Sequence, residues 1–264
     1  MTISTTSIPR VTLAYNDVEM PLIGYGTHPL RGEDAATAVA TAIEVGFRSI
    51  DTATRYRNQD GVGEGIRRSG IDRGEIFLTS KLPPDSVGME NDVLEESLAQ
   101  FQTEYLDLWL IHWPPGGNAG ITAWEALIAA RERGLVRAIG VSNYSLKLLD
   151  ALKEATGYYP EVNQLQWSPV HYSKHFLAGC KERRVTVGAH SPFRSARLDD
   201  PLLTQIAERH RVSPRQVIVR WNIQHQVAVV PKSARRARMK SNLEIDFRLS
   251  SGEMQQLDAL SEVG

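Results

Sequence analysis

The sequence predicts an α/β fold in which eight parallel strands, with helices between them, close into one (β/α)8 barrel. Short β-rich runs alternate with longer helix-patterned segments, which is typical of parallel strands joined by crossover helices. There are eight such runs, and 264 residues suit one barrel of this kind. The turn after the first run, GYGTHPLRG (24–32), lacks the G-x-G-x-x-G pattern of an open doubly wound sheet, so the closed barrel is favoured.

The predicted elements follow in order along the chain. VTLAYNDVEM (11–20) has two apolar runs around Asn16-Asp17, which predicts a β-hairpin that caps one end of the barrel. The eight predicted strands are LIGYG (22–26), FRSID (47–51), IFLTSK (76–81), LDLWLIH (106–112), VRAIGVSN (136–143), EVNQLQW (161–167), VTVGAHS (185–191) and VAVVPKS (227–233).

Amphipathic segments between these strands predict the outer helices. They include residues 33–46, 90–101, 121–134 and 174–184. After the eighth strand, SSGEMQQLDALSEV (250–263) predicts an extra, capped helix. The chain has no Gly/Ser-rich linker and no shift in composition, so we expect residues 1–264 to form a single barrel domain.

Composition and charge exclude several classes of protein. The chain has 30 basic and 31 acidic residues, so its net charge of −1 provides no overall field for nucleic acid or anionic lipid. The single cysteine, Cys180, excludes an internal disulfide, and the first residues, MTISTTSIPR, lack the apolar core of a signal peptide. The apolar runs are too short to span a bilayer. We therefore expect a cytoplasmic protein, monomeric or weakly homo-oligomeric, with no membrane or nucleic-acid partner.

Polar residues stand at or near the carboxyl ends of seven predicted strands. They are Asp51, Lys81, His112, Asn143, Gln164, Ser191 and Lys232. In a (β/α)8 barrel these ends meet at one rim, where active sites are found. A lone lysine or histidine at a strand end is commonly an ordinary surface or core residue, but seven polar residues in register indicate a functional rim.

Four residues of this rim suit proton donation to a carbonyl group. A phenol has an ordinary pKa of about 10, and a nearby ammonium stabilises the phenolate that proton donation leaves. Tyr56 is the candidate donor, and we expect Lys81 to supply the positive charge. Asp51 is expected to pair with the buried lysine, and His112 to hydrogen-bond the substrate carbonyl. A proton donor beside a developing alkoxide is what hydride transfer to a carbonyl requires.

Seven ordered motifs carry a resemblance to a known family. They are IDTATRYRNQDGVGEGI (50–66), LTSKL (78–82), LIHWP (110–114), GVSNY (140–144), EVNQLQ (161–166), SPF (191–193) and VPKS (230–233) followed by Arg238 and Asn242. In order and spacing the chain resembles the aldo-keto reductase superfamily from about residue 10 onward, and small bacterial-type members such as the diketogluconate reductases in particular.

The resemblance implies an NADPH-dependent reductase of aldehydes or ketones and a role for each matching residue. Tyr56 would be the general acid, Lys81 and Asp51 would tune it, and His112 would orient the carbonyl. Ser142, Asn143 and Gln164 would hydrogen-bond the nicotinamide carboxamide. Lys232 and Arg238 would flank the 2′-phosphate that distinguishes NADPH from NADH. The further residues implied to bind the cofactor are Thr27, His190, Ser191, Phe193, Ser233 and Asn242.

The chain departs from the family pattern around the substrate pocket, for which Tyr25, His28 and Trp113 are predicted. His28 stands where many members carry tryptophan, and His190 where they carry a tyrosine stacked on the nicotinamide. One hypothesis is that protonated His190 repels the oxidised ring and favours NADPH at lower pH. The chain also ends soon after its last predicted helix, so an open pocket of broad specificity is expected. Arg194 and Arg197 are interpreted either as contacts for an acidic or polyol substrate or as a solvated loop, and no metal site is predicted.

Two alternatives remain at this stage. The first is a cofactor-binding accessory subunit of the same fold that acts through a partner and turns over little, as ion-channel β-subunits of the superfamily do. The second is an aldolase that forms a Schiff base on Lys81, since barrels support that chemistry as well.

Overall fold

A two-stranded antiparallel hairpin precedes the barrel. The computed structural model describes residues 8–194 and 196–262, so residues 1–7 of the MTISTTSIPR segment and Val263 of the predicted last helix lie outside the described residues. Strand β1 (Arg10–Thr12) pairs with β2 (Glu19–Pro21), and in the turn between them Asn16 and Asp17 take positive φ (62° and 50°), which asparagine and aspartate tolerate better than most residues. Asn16 donates to the carbonyl of Arg137 at 3.4 Å, so the predicted hairpin covers the amino-terminal end of the barrel.

Eight parallel strands form the barrel, each paired with the next one along the chain. They are β3 (Tyr25–Gly26), β4 (Ser49–Asp51), β5 (Phe77–Leu82), β6 (Leu106–Ile111), β7 (Val136–Ser142), β8 (Val162–Gln166), β9 (Thr186–His190) and β10 (Ala228–Val230). The barrel closes where Ile23 bridges Val229 and the amide of Gly24 donates to the Val229 carbonyl at 2.9 Å. The predicted (β/α)8 barrel is confirmed.

Ten α-helices lie in the described part of the chain and pack around the barrel. They are α1 (Gly32–Glu44), α2 (Gln59–Arg68), α3 (Glu90–Phe101), α4 (Ala119–Glu132), α5 (Leu146–Thr156), α6 (Lys174–Glu182), α7 (Pro201–His210), α8 (Pro214–Gln224), α9 (Arg236–Leu243) and α10 (Ser251–Asp258). Local sequence explains several ends: Ser213 and Ser250 form capping boxes with Gln216 and Glu253, and Gly157 ends α5 at φ 81°.

The observed strands differ from the predicted ones mainly at their ends. The eighth predicted strand spanned 227–233, but β10 stops at Val230 before Pro231, which has no amide hydrogen for a ladder. Lys232 and Ser233 therefore lie in the segment that leaves the barrel. Two helices, α7 and α8, follow β9, and each begins at a proline preceded by a capping Asp200 or Ser213. The predicted last helix is observed as α10.

Helices α1 and α2 approach each other closely because α2 carries glycine where they touch. A Cβ at Gly61 would lie 2.5 Å from the carbonyl oxygen of Gly32, and a Cβ at Gly65 would lie 2.5 Å from that of Ala36. This contact places the segment before α2, which carries Tyr56, against the rim of the barrel. Within the described residues, every helix is too short or too polar to cross a membrane. The cytoplasmic location and the oligomeric state stay predictions.

Candidate active site

The carboxyl ends of the barrel strands surround an open cavity of about 460 Å³. Thirteen of the residues that were predicted for the site contribute to its wall, and Lys81 lies buried behind it. The wall is formed by Gly26, Thr27, His28, Asp51, Tyr56, His112, Trp113, Ser142, Asn143, Gln164, His190, Ser191, Pro192, Phe193, Arg194, Val230 and Lys232. Seven of the eight barrel strands, or the segments that follow them, contribute to this wall, and β5 contributes Lys81 behind it.

A buried ion pair joins β4 and β5 beneath the cavity. Nζ of Lys81 donates to Oδ1 of Asp51 at 2.6 Å and to the carbonyl of Thr52 at 2.8 Å. The two side chains are 1% and 7% exposed, so the pair is shielded from solvent. Burial alone lowers the pKa of Lys81, but the Asp51 carboxylate and Tyr56 raise it above its ordinary value. Lys81 is therefore a charged ammonium held in one place.

The second carboxylate oxygen of Asp51 is held from the other side of the barrel. Nε2 of Gln164 donates to Oδ2 of Asp51 at 2.7 Å. From the sequence, Gln164 was predicted to bind the cofactor only, and nothing in the pattern of β8 indicates a hydrogen bond to Asp51. Asp51 thus has both oxygens engaged, one by an ammonium and one by an amide, which fixes the carboxylate in orientation.

Tyr56 lies above the ion pair, in a 3₁₀ turn (Thr54–Tyr56) that leaves β4. Nζ of Lys81 is 5.5 Å from the centre of the Tyr56 ring, and the ring packs edge-to-face with those of His112 (5.8 Å between centroids) and His28 (4.9 Å). The ammonium of Lys81 lowers the pKa of Tyr56, but burial and the charge of Asp51 together outweigh it, so the net pKa is raised. Lys81 therefore does not lower the pKa of Tyr56 below its ordinary value, and the phenol is fully protonated at neutral pH.

Asn58 holds the Tyr56 turn against two neighbouring segments. Its side-chain oxygen accepts from Thr52 at 2.7 Å, and its amide donates to the carbonyl of Leu30 at 2.9 Å and to Thr27 at 3.2 Å. Asn58 is fully buried, which is unusual for an asparagine without partners of this kind. Asn58 stands within the motif of residues 50–66, but no role was predicted for it. Its position two residues after Tyr56, between a turn and a helix, was the available signal.

Two of the three imidazoles that line the cavity, those of His112 and His190, are neutral at physiological pH. Burial, with the charge of Lys81 next in importance, lowers the pKa of His112 to about 3 and that of His190 to about 4. Nδ1 of His112 is buried and has no hydrogen-bond partner among the described residues. The hypothesis of a protonated His190 that repels an oxidised ring is therefore wrong above about pH 4, because its low-dielectric position beside Lys81 disfavours the charged form.

The three residues predicted to meet a carboxamide form a chain of hydrogen bonds. Ser142 donates to the carbonyl of Gln164 at 2.7 Å, and the amide of Asn143 donates to Ser142 and to the His112 carbonyl at 2.9 and 3.2 Å. Asn143 adopts φ 66°, a left-handed conformation that asparagine tolerates. Within the described chain, the side-chain oxygens of Asn143 and Gln164 accept no hydrogen bond, so both remain available to an amide donor.

The other residues that were predicted to bind the cofactor extend from the cavity toward α9. The cavity is lined by Lys232, Ser191 and Phe193. Beyond it lie Ser233, on the segment after β10, and Arg238 and Asn242, on α9.

Arg215, for which no role was predicted from the sequence, completes a basic cluster with Lys232 and Arg238. Its guanidinium lies 5.5 Å from the centre of the Phe193 ring, and burial and the charge of Arg238 lower its pKa. Lys232, Arg238 and Arg215 have no carboxylate within 4.0 Å in the described chain, so the cluster is suited to an anion.

One residue that was predicted for the substrate pocket, Tyr25, does not line the cavity. Tyr25 is 1% exposed, packs against Phe47, and donates from its hydroxyl to the Ser233 carbonyl at 2.7 Å. It lies on the opposite face of β3 from Gly26, which lines the cavity, because successive residues of a strand point to opposite sides. The prediction of Tyr25 as a substrate-pocket residue is therefore wrong. His28 and Trp113, the latter 50% exposed, do line the cavity.

Known proteins resemble this chain over nearly its whole length. The model of the "Aldo/keto reductase family" matches residues 22–262. A glyoxal reductase of Bacillus subtilis is 41% identical over 97% of this chain and 95% of its own length. Two solved structures superpose closely: an aldo/keto reductase from Brucella melitensis (TM-score 0.93, 36% identity, 96% of this chain and 100% of that one) and a Bombyx mori aldo-keto reductase in complex with NADP (TM-score 0.90, 30% identity, 96% and 93%).

Proposed function

This chain belongs to the aldo/keto reductase family, and from that premise we propose that it reduces aldehydes or ketones to alcohols with NADPH, Tyr56 acting as the general acid. The observation that carries the proposal is the buried pair of Lys81 and Asp51 beneath Tyr56, at the wall of the cavity. This arrangement places a protonated phenol where a carbonyl can reach it and a fixed positive charge directly behind it. In enzyme terms the chain is an alcohol:NADP⁺ oxidoreductase.

The proton step follows from the charges around Tyr56. As the carbonyl oxygen gains negative charge, the phenol donates its proton to it, and Lys81 stabilises the phenolate that remains. Asp51 keeps the ammonium charged and in place, and Gln164 prevents the carboxylate from turning away. His112 is neutral, so it can donate one hydrogen bond to the carbonyl without competing as an acid. Tyr56 then recovers its proton from solvent through the open cavity.

The residues present fit a nicotinamide cofactor. Asn143 and Gln164 offer free acceptor oxygens for the two hydrogens of a carboxamide, and Ser142 fixes the strand end beside them. Lys232 and Arg238, with Arg215 beside them, offer unpaired positive charge for a 2′-phosphate, which favours NADPH over NADH. When bound, NADPH supplies the hydride. The NADP complex of the Bombyx mori relative supports the same assignment.

The two alternative functions are less well supported. A Schiff-base lysine must lose its proton to attack a carbonyl, whereas the pKa of Lys81 is raised and its ammonium is bound by Asp51 and Thr52. An accessory subunit would need the same cofactor site, so it is distinguished by turnover. The reductases among the relatives favour an enzyme.

The test is a panel of neutral aldehydes and ketones, including glyoxal and methylglyoxal, assayed by loss of NADPH absorbance. We expect turnover by the wild type and a loss of kcat of about 10²–10⁴-fold in Tyr56→Phe, because a positioned general acid contributes that much. Cofactor affinity, measured by fluorescence titration, should be unchanged in the variant. Full activity of Tyr56→Phe would disprove the mechanism, and tight NADPH binding without turnover would favour the accessory subunit.

A further inference from the structure

The side chain of Asn58 joins three segments of the site. Its oxygen accepts a hydrogen bond from the hydroxyl of Thr52, directly after β4, and its amide donates to the hydroxyl of Thr27 and to the carbonyl of Leu30, on the segment after β3. Asn58 itself lies two residues after Tyr56, just beyond the turn that carries the proposed general acid. The acid, the end of β4 and the segment after β3 are therefore held together at one buried side chain.

Asn58 makes these bonds instead of capping a helix. It occupies the N-cap position of α2, where the side-chain oxygen of an asparagine ordinarily accepts a hydrogen bond from an amide of the first helical turn. The side chain of Asn58 makes no such bond, and its oxygen is bound by Thr52 instead. The stability of α2 therefore does not explain the direction of this side chain, whereas the contacts with the site do.

The backbone that Asn58 fixes carries one of the two acceptors of the Lys81 ammonium. Nζ of Lys81 donates to the Thr52 carbonyl at 2.8 Å, as well as to Oδ1 of Asp51 at 2.6 Å. The hydroxyl of Thr52 donates to Asn58 at 2.7 Å. The hydroxyl of Thr27, which Asn58 also binds, donates to the backbone carbonyl of Asp51 at 3.1 Å. The peptide between Asp51 and Thr52 is thus held on both sides by bonds that converge on Asn58.

We propose that Asn58 and Thr52 are positioning residues for the proton step, because the bond between them fixes the carbonyl that holds the Lys81 ammonium beneath Tyr56. The inference rests on the proposed carbonyl reductase function and adds two residues to it. Both side chains are 0% exposed and neither lines the cavity, so they act through Lys81 and not on the substrate. The stabilisation of the phenolate depends on its distance from the ammonium, so a displaced ammonium slows proton donation without weakening binding.

The test removes the bond between Asn58 and Thr52 from either end. Thr52→Val keeps the shape of the side chain and loses the hydroxyl, whereas Asn58→Ala loses the acceptor. With a carbonyl compound that the wild type reduces, each variant should lower the single-turnover rate of NADPH oxidation about tenfold or more. KM and NADPH affinity should stay within about twofold of the wild type, as expected when an interaction acts only in the transition state. Thr52→Ser retains the hydroxyl and should restore most of the rate.

The double variant Asn58→Ala/Thr52→Val shows whether the two residues act together. Both changes break the same bond, so its rate should be close to that of Asn58→Ala, whereas independent effects would multiply to about a hundredfold loss.

Asn222→Ala is the matched control, because Asn222 is an equally buried asparagine on α8 whose amide donates to the Ile218 carbonyl, away from the cavity. It should lose stability in urea unfolding and keep the wild-type rate. The same loss of rate in this control, or independent losses in the double variant, would overturn the inference.

A raised KM or weaker NADPH binding at an unchanged rate would overturn the inference by assigning the two residues to binding. If Asn58→Ala does not fold, the comparison of Thr52→Val with Thr52→Ser decides by itself. A full rate in Thr52→Val would refute the inference alone and leave the reductase function standing. If the wild type reduces no compound of the panel, the reductase function is refuted and the inference with it.

Discussion

The buried ion pair of Lys81 and Asp51 predicts a strong coupling between the two residues in stability. Asp51→Asn removes the counter-charge of an ammonium that is 1% exposed, and the ammonium is then left with neutral acceptors, such as the Thr52 carbonyl. Breaking a buried pair on one side costs about 3–5 kcal/mol, because the remaining charge is uncompensated. Lys81→Met leaves the Asp51 carboxylate with the Gln164 amide as its donor and should cost a comparable or slightly smaller amount.

The double variant Asp51→Asn/Lys81→Met has no charge at the site of this ion pair, so its free energy of unfolding should return to within about 1–2 kcal/mol of that of the wild type. The four proteins form a double-mutant cycle, measured by urea unfolding and circular dichroism at pH 7, with an expected coupling energy of about 3 kcal/mol or more. The deficit of Asp51→Asn should also shrink as pH rises, because an unpaired buried lysine loses its proton at a lowered pKa. Simple additivity of the two single losses would refute the reasoning. Enzymatic activity is expected to be lost in all three variants.

Three further predictions concern a buried acid, a helix contact and the cavity imidazoles. Burial raises the pKa of Glu161 from its ordinary 4.5 to about 7 in the folded protein, so the free energy of unfolding of the wild type falls as pH rises between these two values. In urea unfolding, the stability of Glu161→Gln should therefore rise by about 2–3 kcal/mol relative to that of the wild type between pH 5 and pH 8. Gly65→Ala should destabilise by about 1–3 kcal/mol in the same assay, because its Cβ would lie 2.5 Å from a carbonyl oxygen of α1, whereas Gly74→Ala has open space and should stay within about 0.5 kcal/mol. His112 and His190, with pKa values of about 3 and 4, should show no ionisation between pH 8 and pH 5 in an NMR titration, and the NADP⁺/NADPH affinity ratio should not change over that range.

Each of these three predictions would be contradicted by a specific result. A pH-independent effect of Glu161→Gln would show that its carboxyl titrates normally in the folded state. Equal effects of Gly65→Ala and Gly74→Ala would show that α1 and α2 can separate without cost. An imidazole midpoint near pH 6.5 for His112 or His190 would show that water reaches the base of the cavity.

The polar residues of the rim could be predicted from the sequence because a parallel barrel brings all strand ends to one face. Asp51, Lys81 and His112 follow apolar runs at regular intervals, so their meeting needed only the order of the strands. Arg215, which stacks on Phe193 beside Arg238, could not be found in this way, since it lies on α8 and no strand end marks it. The alternation of strands and helices in the sequence identifies residues at strand ends, but it does not identify residues that reach the site from a helix.

Sequence alone determined the fold and the family of this protein, because alternating strands and helices and ordered motifs are local features that are repeated along the chain. Only the tertiary structure decided which side of β3 carries Tyr25, and it joined Gln164 to Asp51 across 113 residues. It also decided the charge states of the site: burial makes His190 neutral and raises the pKa of Tyr56 despite Lys81. The physical reason is that side-chain direction, solvation and the distance between charges depend on the packing of segments distant in sequence, which no local pattern contains.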